Sequence, residues 1–134
     1  MTVVHESADR AAVEAIGATL QLYFDGLYLS DTERLAQAFH RHAIYASATG
    51  GAFVHMTMAE YFPMVDARPS PASRGEPRTD RVVSIDVAGP VTAFARVECS
   101  IGPKHFTDLL TLVHVDGRWQ IIAKVFHFEL DAER

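Results

Sequence analysis

VTAFARVECSIGPKHFTDLLTLVHVDGRWQIIAKVFHFE, Val91 to Glu129, reads as three strands joined by tight turns at Gly102-Pro103 and Asp116-Gly117. Asp-Gly between two apolar runs is the strongest short-range hairpin signal in the chain. In the first strand Ala93, Ala95, Val97 and Cys99 oppose Phe94, Arg96 and Glu98. The last strand, Trp119 to Phe128, is apolar on both faces. It therefore predicts cover on both sides, with the upstream helices supplying it.

Those helices are legible. Val13, Ile16, Leu20, Tyr23, Phe24 and Leu27 recur at three- and four-residue spacing, which predicts a helix over 8–29 started by Ser7 or Asp9. Gly26 interrupts its last turn. Ser30-Asp-Thr-Glu33 has the form of a capping box, predicting a second helix over 31–39 that buries Leu35, Ala36 and Phe39. A strand is expected at Ala43–Ser47, then a turn at Gly50-Gly51 and a short strand at Phe53-Val54. Thr57 caps a third helix from Met58 to about Asp66, with Pro63 as its candidate kink. Ala67–Arg78 reads as a loop, and Thr79–Val87 as a further strand. Three helices followed by a four-stranded antiparallel run is an α+β order. The sheet is long for the helices available, which predicts a sheet curved round the long helix with a cavity at its open end.

Composition narrows the function. A chain of 134 residues is one domain, burying roughly 65–70% of its unfolded surface. A net charge of −5 with scattered basic residues argues against a nucleic-acid partner. The single cysteine, Cys99, allows no intrachain disulfide. Met1–Asp9 lacks the regions of a secretory leader, and no apolar run approaches the ~20 residues that span a bilayer. A cytoplasmic protein without a membrane partner is expected.

The segments Tyr23-Phe-Asp-Gly26, Phe39-His40, Phe106-Thr-Asp108-Leu and Trp119-Gln-Ile-Ile-Ala-Lys124-Val-Phe126 together resemble the nuclear transport factor 2-like superfamily. This is the cone fold of SnoaL-like cyclases, ketosteroid isomerase and scytalone dehydratase. Within it the chain is most similar to the small bacterial family described as putative lumazine-binding, over about Asp9 to Phe128. The resemblance implies an α+β cone (also termed cystatin-like) in a single domain, 1–134, and a homodimer paired through the sheet. Such a fold hosts enzymes and binding modules alike.

The resemblance also places Tyr23 where ketosteroid isomerases hold an oxyanion tyrosine, and Asp108 near that family's protonated aspartate. A phenol and a neutral carboxyl in an apolar cone can both donate to one developing oxyanion. The isomerase base would fall at about Ser47, where no carboxylate stands, so that chemistry is not expected in its usual form. The plainer alternative is that Tyr23 packs and Asp108 satisfies a backbone amide. His40 and His127 are candidate acid–base groups, or with His42 metal ligands, although neither spacing is a recognised ligand motif. His40 equally fits the carboxyl end of the second helix. Lys124 either faces the cone to hold an anion or form a Schiff base, or snorkels to the sheet edge and pairs with Asp108 or Glu98. Tyr45, Phe53, Phe62 and Phe126 are the aromatics expected to line the cavity. Arg68, Arg74 and Arg78 are either an anion-attracting lid or solvated surface. No metal or cofactor is implied.

Three functions remain open on this reading. One is a small-molecule-binding module with an apolar pocket. The second is a lyase or isomerase acting on a cyclic ketone or polyketide-like substrate by acid–base catalysis. The third is a partner-binding domain with a filled core.

Overall fold

The computed structural model describes residues 6–131, so the leader reading of Met1–His5 lies outside the described residues. Helix α1 (Glu6–Leu29) is followed by α2 (Thr32–Ala38), β1 (Phe39–Ser47), β2 (Val54–Thr57) and α3 (Met58–Ala67). The meander then runs β3 (Arg81–Val87), β4 (Thr92–Ile101), β5 (Lys104–Val115) and β6 (Arg118–Leu130). Ser7 and Asp9 stand within α1 rather than ahead of it, so neither is its cap. The six strands form one sheet in the order β2-β1-β6-β5-β4-β3. β1 lies parallel to β6 and the other pairs are antiparallel. The expected four-stranded run is thus a six-stranded sheet, because β1 and β2 join its far edge. The architecture is α+β, three helices on the concave face of a curved, unclosed sheet.

The α1 stripe packs as its spacing dictates, with Ile16, Leu20, Tyr23, Phe24 and Leu27 buried and Val13 left half in solvent. Gly26 does not weaken the last turn, which continues to Leu29. Its role is close approach: a methyl there would stand 2.6 Å from Leu35 Cδ2 and 2.7 Å from its Cγ. The join to α2 corrects the capping expectation. Ser30, at φ 51°, ends α1, with its own N–H on the Leu27 carbonyl and the Asp31 N–H on that of Gly26. Asp31 then caps α2, accepting from the Glu33 and Arg34 amides. The chain can serve only one of these ends with Ser30, and the helix termination takes it. At α3 the expected Thr57 cap is present as a full capping box with Glu60, and the helix runs on through Pro63.

β4 keeps its alternation, with Ala93, Ala95, Val97 and Cys99 buried. β6 does not. Its register to β5 shifts between the Thr111–Ala123 and Leu112–Ile121 pairs, leaving Ile122 as a bulge. Strict alternation would put Ile121 and Lys124 on opposite faces. The extra residue reverses the parity, so both are buried on the concave side.

The expectation of cover on both faces fails for the sheet's convex side. Its central rows run Arg96, Leu109, Val125, Ala46 and Phe94, Thr111, Ala123, Ile44 across β4, β5, β6 and β1. Here Val125 is 44% and Phe94 37% exposed. All three helices are spent on the other face.

Candidate functional site

At the open end of the cone lies a cavity of about 520 Å3. Its apolar wall comes from Tyr45 on β1, Val54 and Met56 on β2, Met64 on α3, Phe106 on β5, and Phe126 and Phe128 on β6. The residues after α3 close one side, bringing Arg68, Pro69, Pro71, Arg74 and Glu76 to it, while Lys104 stands at the rim. Tyr45 and Phe126 pack with ring centroids 4.8 Å apart. The loop is tied down beyond the cavity. Tyr28 donates to the Glu76 carbonyl at 2.6 Å, the Gly102 N–H donates to the Glu76 side chain, and Arg78 is paired with Asp25 and Asp80.

Beneath Tyr45 and Phe126 sits a buried polar cluster. Lys124 is only 4% exposed, and the bulge at Ile122 turns it inward. Its Nζ donates to the Tyr61 hydroxyl at 3.3 Å and lies 5.2–5.4 Å from the ring centroids of Tyr23, Tyr61, Phe126 and Tyr45. Four aromatic faces around one ammonium form a cation–π cage. Two pairs along the β5–β6 ladder and on the same face lies Asp108, whose Oδ2 accepts from Tyr23 Oη at 2.5 Å. The other carboxyl oxygen, Oδ1, is buried with no partner among the described residues.

Burial raises the Tyr23 pKa well above its usual 10.0, with Asp108 adding to the rise, so Tyr23 remains a phenol. Burial and then Asp108 push the Cys99 thiol up to about 12. For Lys124 burial is the largest single effect and opposes the ammonium. Tyr61, Asp108, Tyr45 and Cys99 together outweigh it, so its pKa lies above the usual 10.5. All three groups therefore keep protons in the folded chain that the unfolded chain releases from about pH 9 upward. The sign follows: the unfolded state binds fewer protons, so stability is complete below pH ~9 and falls as pH rises. Urea midpoints measured from about pH 8 to about pH 11 are expected to hold to about pH 9 and then drop, and Cys99→Ala to flatten the first part of the fall. A flat wild-type profile across that range would contradict it.

The structure brings Tyr23 and Asp108 into contact and sets Lys124 beside them, but under the cavity floor rather than in its wall. Of the expected lining aromatics, Tyr45 and Phe126 are in place. Phe53 is 75% exposed next to the edge strand β2, stacked on His55, and Phe62 faces elsewhere. His40 and Phe62 line a separate cleft of about 420 Å3 with Phe39, Arg118 and Gln120. His40 is not a helix cap, since β1 has already begun at Phe39, and its Nδ1 accepts from the His42 N–H. His127 is exposed, bonded to Thr49 and beside Glu129. Among the described residues no group of three or more His, Cys, Asp or Glu is placed to hold a metal. Ser47 is buried and serves the Thr49 amide.

Two participants escaped the sequence reading. Tyr61 carries no sequence signal beyond its place on the inner side of α3, and only its position opposite Lys124 reveals its hydroxyl contact. Arg68 was one of three loop arginines. Arg78 is held by two aspartates and Arg74 stands 4.0 Å from Glu76, whereas Nε and Nη2 of Arg68 are buried without a partner among the described residues.

Comparison with known proteins places this geometry. Residues 11–127 match the family model described as "Putative lumazine-binding". The chain is 26% identical over 116 residues to an aldolase, FrzH, of a Cladobotryum species, covering 85% of this chain and 89% of that protein. A nuclear transport factor 2-like protein of unknown function from Shewanella baltica superposes with a TM-score of 0.78 at 24% identity, over 96% of this chain and 98% of the other. Another, from Methylobacillus flagellatus, gives 0.75 at 27% identity, over 87% and 91%. No helix of the described residues is long and apolar enough to cross a membrane.

Proposed function

The chain belongs to the family described as putative lumazine-binding, and on that premise we propose a small-molecule-binding protein whose ligand occupies the apolar cavity of the cone. The observation that carries this is the cavity itself. Its volume of about 520 Å3 falls within the ~300–1,000 Å3 of small-molecule sites, and its walls are mostly apolar with few polar groups. The Tyr45 and Phe126 rings at its floor suit stacking by a flat, heterocyclic or polyketide-like body.

A second reading, a lyase of aldol type or an isomerase acting on a cyclic ketone or polyketide-like substrate, is favoured by the likeness to the Cladobotryum aldolase and by the buried cluster. In that reading Tyr45, which lines the cavity, is the donor that meets a substrate oxygen. Lys124, Tyr23 and Asp108 act from below as positioning residues that set its field. His40 and His127 stand off the cavity and take no part.

The convex face calls for a partner, and we assign it to a second copy of the chain. Its apolar centre with Arg96 and Glu98 at the side is self-complementary in character. Cys99, free and buried, suits a reducing, cytoplasmic compartment. One experiment addresses ligand and dimer: a native mass spectrum of protein purified from cells, compared with its denatured mass. A dimer carrying a discrete mass lost on denaturation is expected. A clean monomer would remove the dimer. Absence of extra mass, with no thermal shift from lumazine, riboflavin or steroid probes, would remove the binding reading.

A further inference from the structure

Arg68 follows the last residue of α3, and Pro69 directs the chain along the cavity. Its Nε and Nη2 are buried without a hydrogen-bond partner among the described residues. These nitrogens form one edge of the guanidinium, two parallel N–H donors at the spacing of a carboxylate's two oxygens. Arg68 lines the cavity, with this edge shielded from solvent. Its charge reaches the Tyr45 hydroxyl and the Cys99 thiol, lowering both pKa values against the larger upward push of burial.

An unpaired buried guanidinium edge is expensive for a fold to keep, because arginine is always charged and each lost water contact goes unreplaced. Packing does not require it, since a methionine or glutamine would fill similar space. The charge balance points the same way. Among the described residues the cone holds two cationic groups, Lys124 and the buried edge of Arg68, and one acidic one, Asp108, whose Oδ2 is engaged by Tyr23. At the rim Arg74 and Lys104 outnumber Glu76, which is engaged by Gly102. Among the described residues the interior is one negative charge short of balance, and the unpartnered edge of Arg68 is where one would bind.

We propose that Arg68 is an anion-recognition residue, and that the cavity takes an apolar ligand bearing a carboxylate, held side-on by Nε and Nη2. The inference rests on the reading of this cavity as a ligand site and names the ligand's head group. The apolar body lies against Tyr45, Phe126 and Phe106, and Lys104 and Arg74 draw the anion to the mouth.

The test pairs two probes of one shape, 1-naphthoate and neutral 1-naphthamide, titrated calorimetrically into wild type, Arg68→Gln and Arg68→Lys. Wild type is expected to prefer the naphthoate by about tenfold or more, the scale of a charge-assisted bidentate contact. Arg68→Gln is expected to abolish the preference while leaving naphthamide affinity in place. Arg68→Lys, which keeps the charge without the fork, is expected to lose most of it. Without ligand, Arg68→Gln is expected to melt at the wild-type temperature or about 3 °C above it, because a buried charge has been removed.

Equal affinity of wild type for the two probes would overturn the carboxylate site and leave the cavity reading standing. So would a preference that survives in Arg68→Gln, or a melting temperature several degrees lower in that variant, which would mark Arg68 as structural. Binding of neither probe would remove the cavity reading and this inference with it.

Discussion

Lys124→Met is expected to lower the unfolding free energy by about 3 kcal/mol, measured by urea denaturation at neutral pH. Methionine fills much the same volume, so little of the loss comes from a void. The loss comes from two other sources. The ammonium gives up four aromatic faces and the Tyr61 hydroxyl. Asp108, wholly buried and with Oδ1 unpartnered among the described residues, loses the nearby ammonium and keeps Arg68 as its remaining interior countercharge among them. Removing one member of a buried charge pair typically costs ~3–5 kcal/mol, and the lower end applies because the two groups interact without a direct bond.

The decisive measurement is the double-mutant cycle. Asp108→Asn alone should cost about 2 kcal/mol, because Tyr23 loses a charged acceptor at 2.5 Å. Lys124→Met with Asp108→Asn should cost at least ~1 kcal/mol less than the sum of the single losses, since neither buried charge is then stranded. Additivity within about 0.5 kcal/mol would show that the two charges do not sense each other. A neutral or stabilising Lys124→Met would show that the cage merely tolerates its ammonium.

This cluster also marks where sequence reasoning stops. The strands from Val91 onward, the two turns and the small-residue face of β4 were legible, because period-two alternation and turn chemistry are local properties. The side on which Lys124 lies was not. It depends on one bulged residue, Ile122, in an apolar run whose two faces look alike in sequence. Tyr23 and Asp108 could be singled out through family resemblance, but their contact spans 85 positions and exists only once α1 lies across the meander. Arg68, Arg74 and Arg78 each have an acid two residues away, Asp66, Glu76 and Asp80, and only the fold shows that Arg74 and Arg78 meet theirs while Asp66 accepts from Thr32 instead. Ser30 was misassigned because a left-handed helix terminator and a helix cap draw on the same small polar residues. The bare convex face was misjudged for a related reason: apolarity on both sides of a strand requires cover without saying whether the same chain supplies it.

Gly26→Ala is expected to destabilise the fold by about 2 kcal/mol, against the direction that helix propensity alone would give. Alanine in a helix interior gains about 1 kcal/mol over glycine. Here the added methyl would lie 2.6 Å from Leu35 Cδ2, 2.7 Å from Leu35 Cγ and 3.2 Å from the Asp31 carbonyl oxygen. Leu35 is fully buried, so its branch cannot swing into solvent. α2 must move away from α1 instead, and overpacking of this kind typically costs ~1–3 kcal/mol before any loss in the neighbouring core. That displacement would reach β1, which starts directly after α2 and carries Tyr45 to the cavity.

The cause can be isolated in the Leu35→Ala background. That substitution alone should cost about 3 kcal/mol through the void it leaves. Adding Gly26→Ala to it should then change stability by less than about 1 kcal/mol, because the branch that the methyl meets is gone. If Gly26→Ala costs as much in that background as in wild type, the close approach of the two helices is not what fixes glycine at this position. The backbone at Asp31 would then be the opposing group.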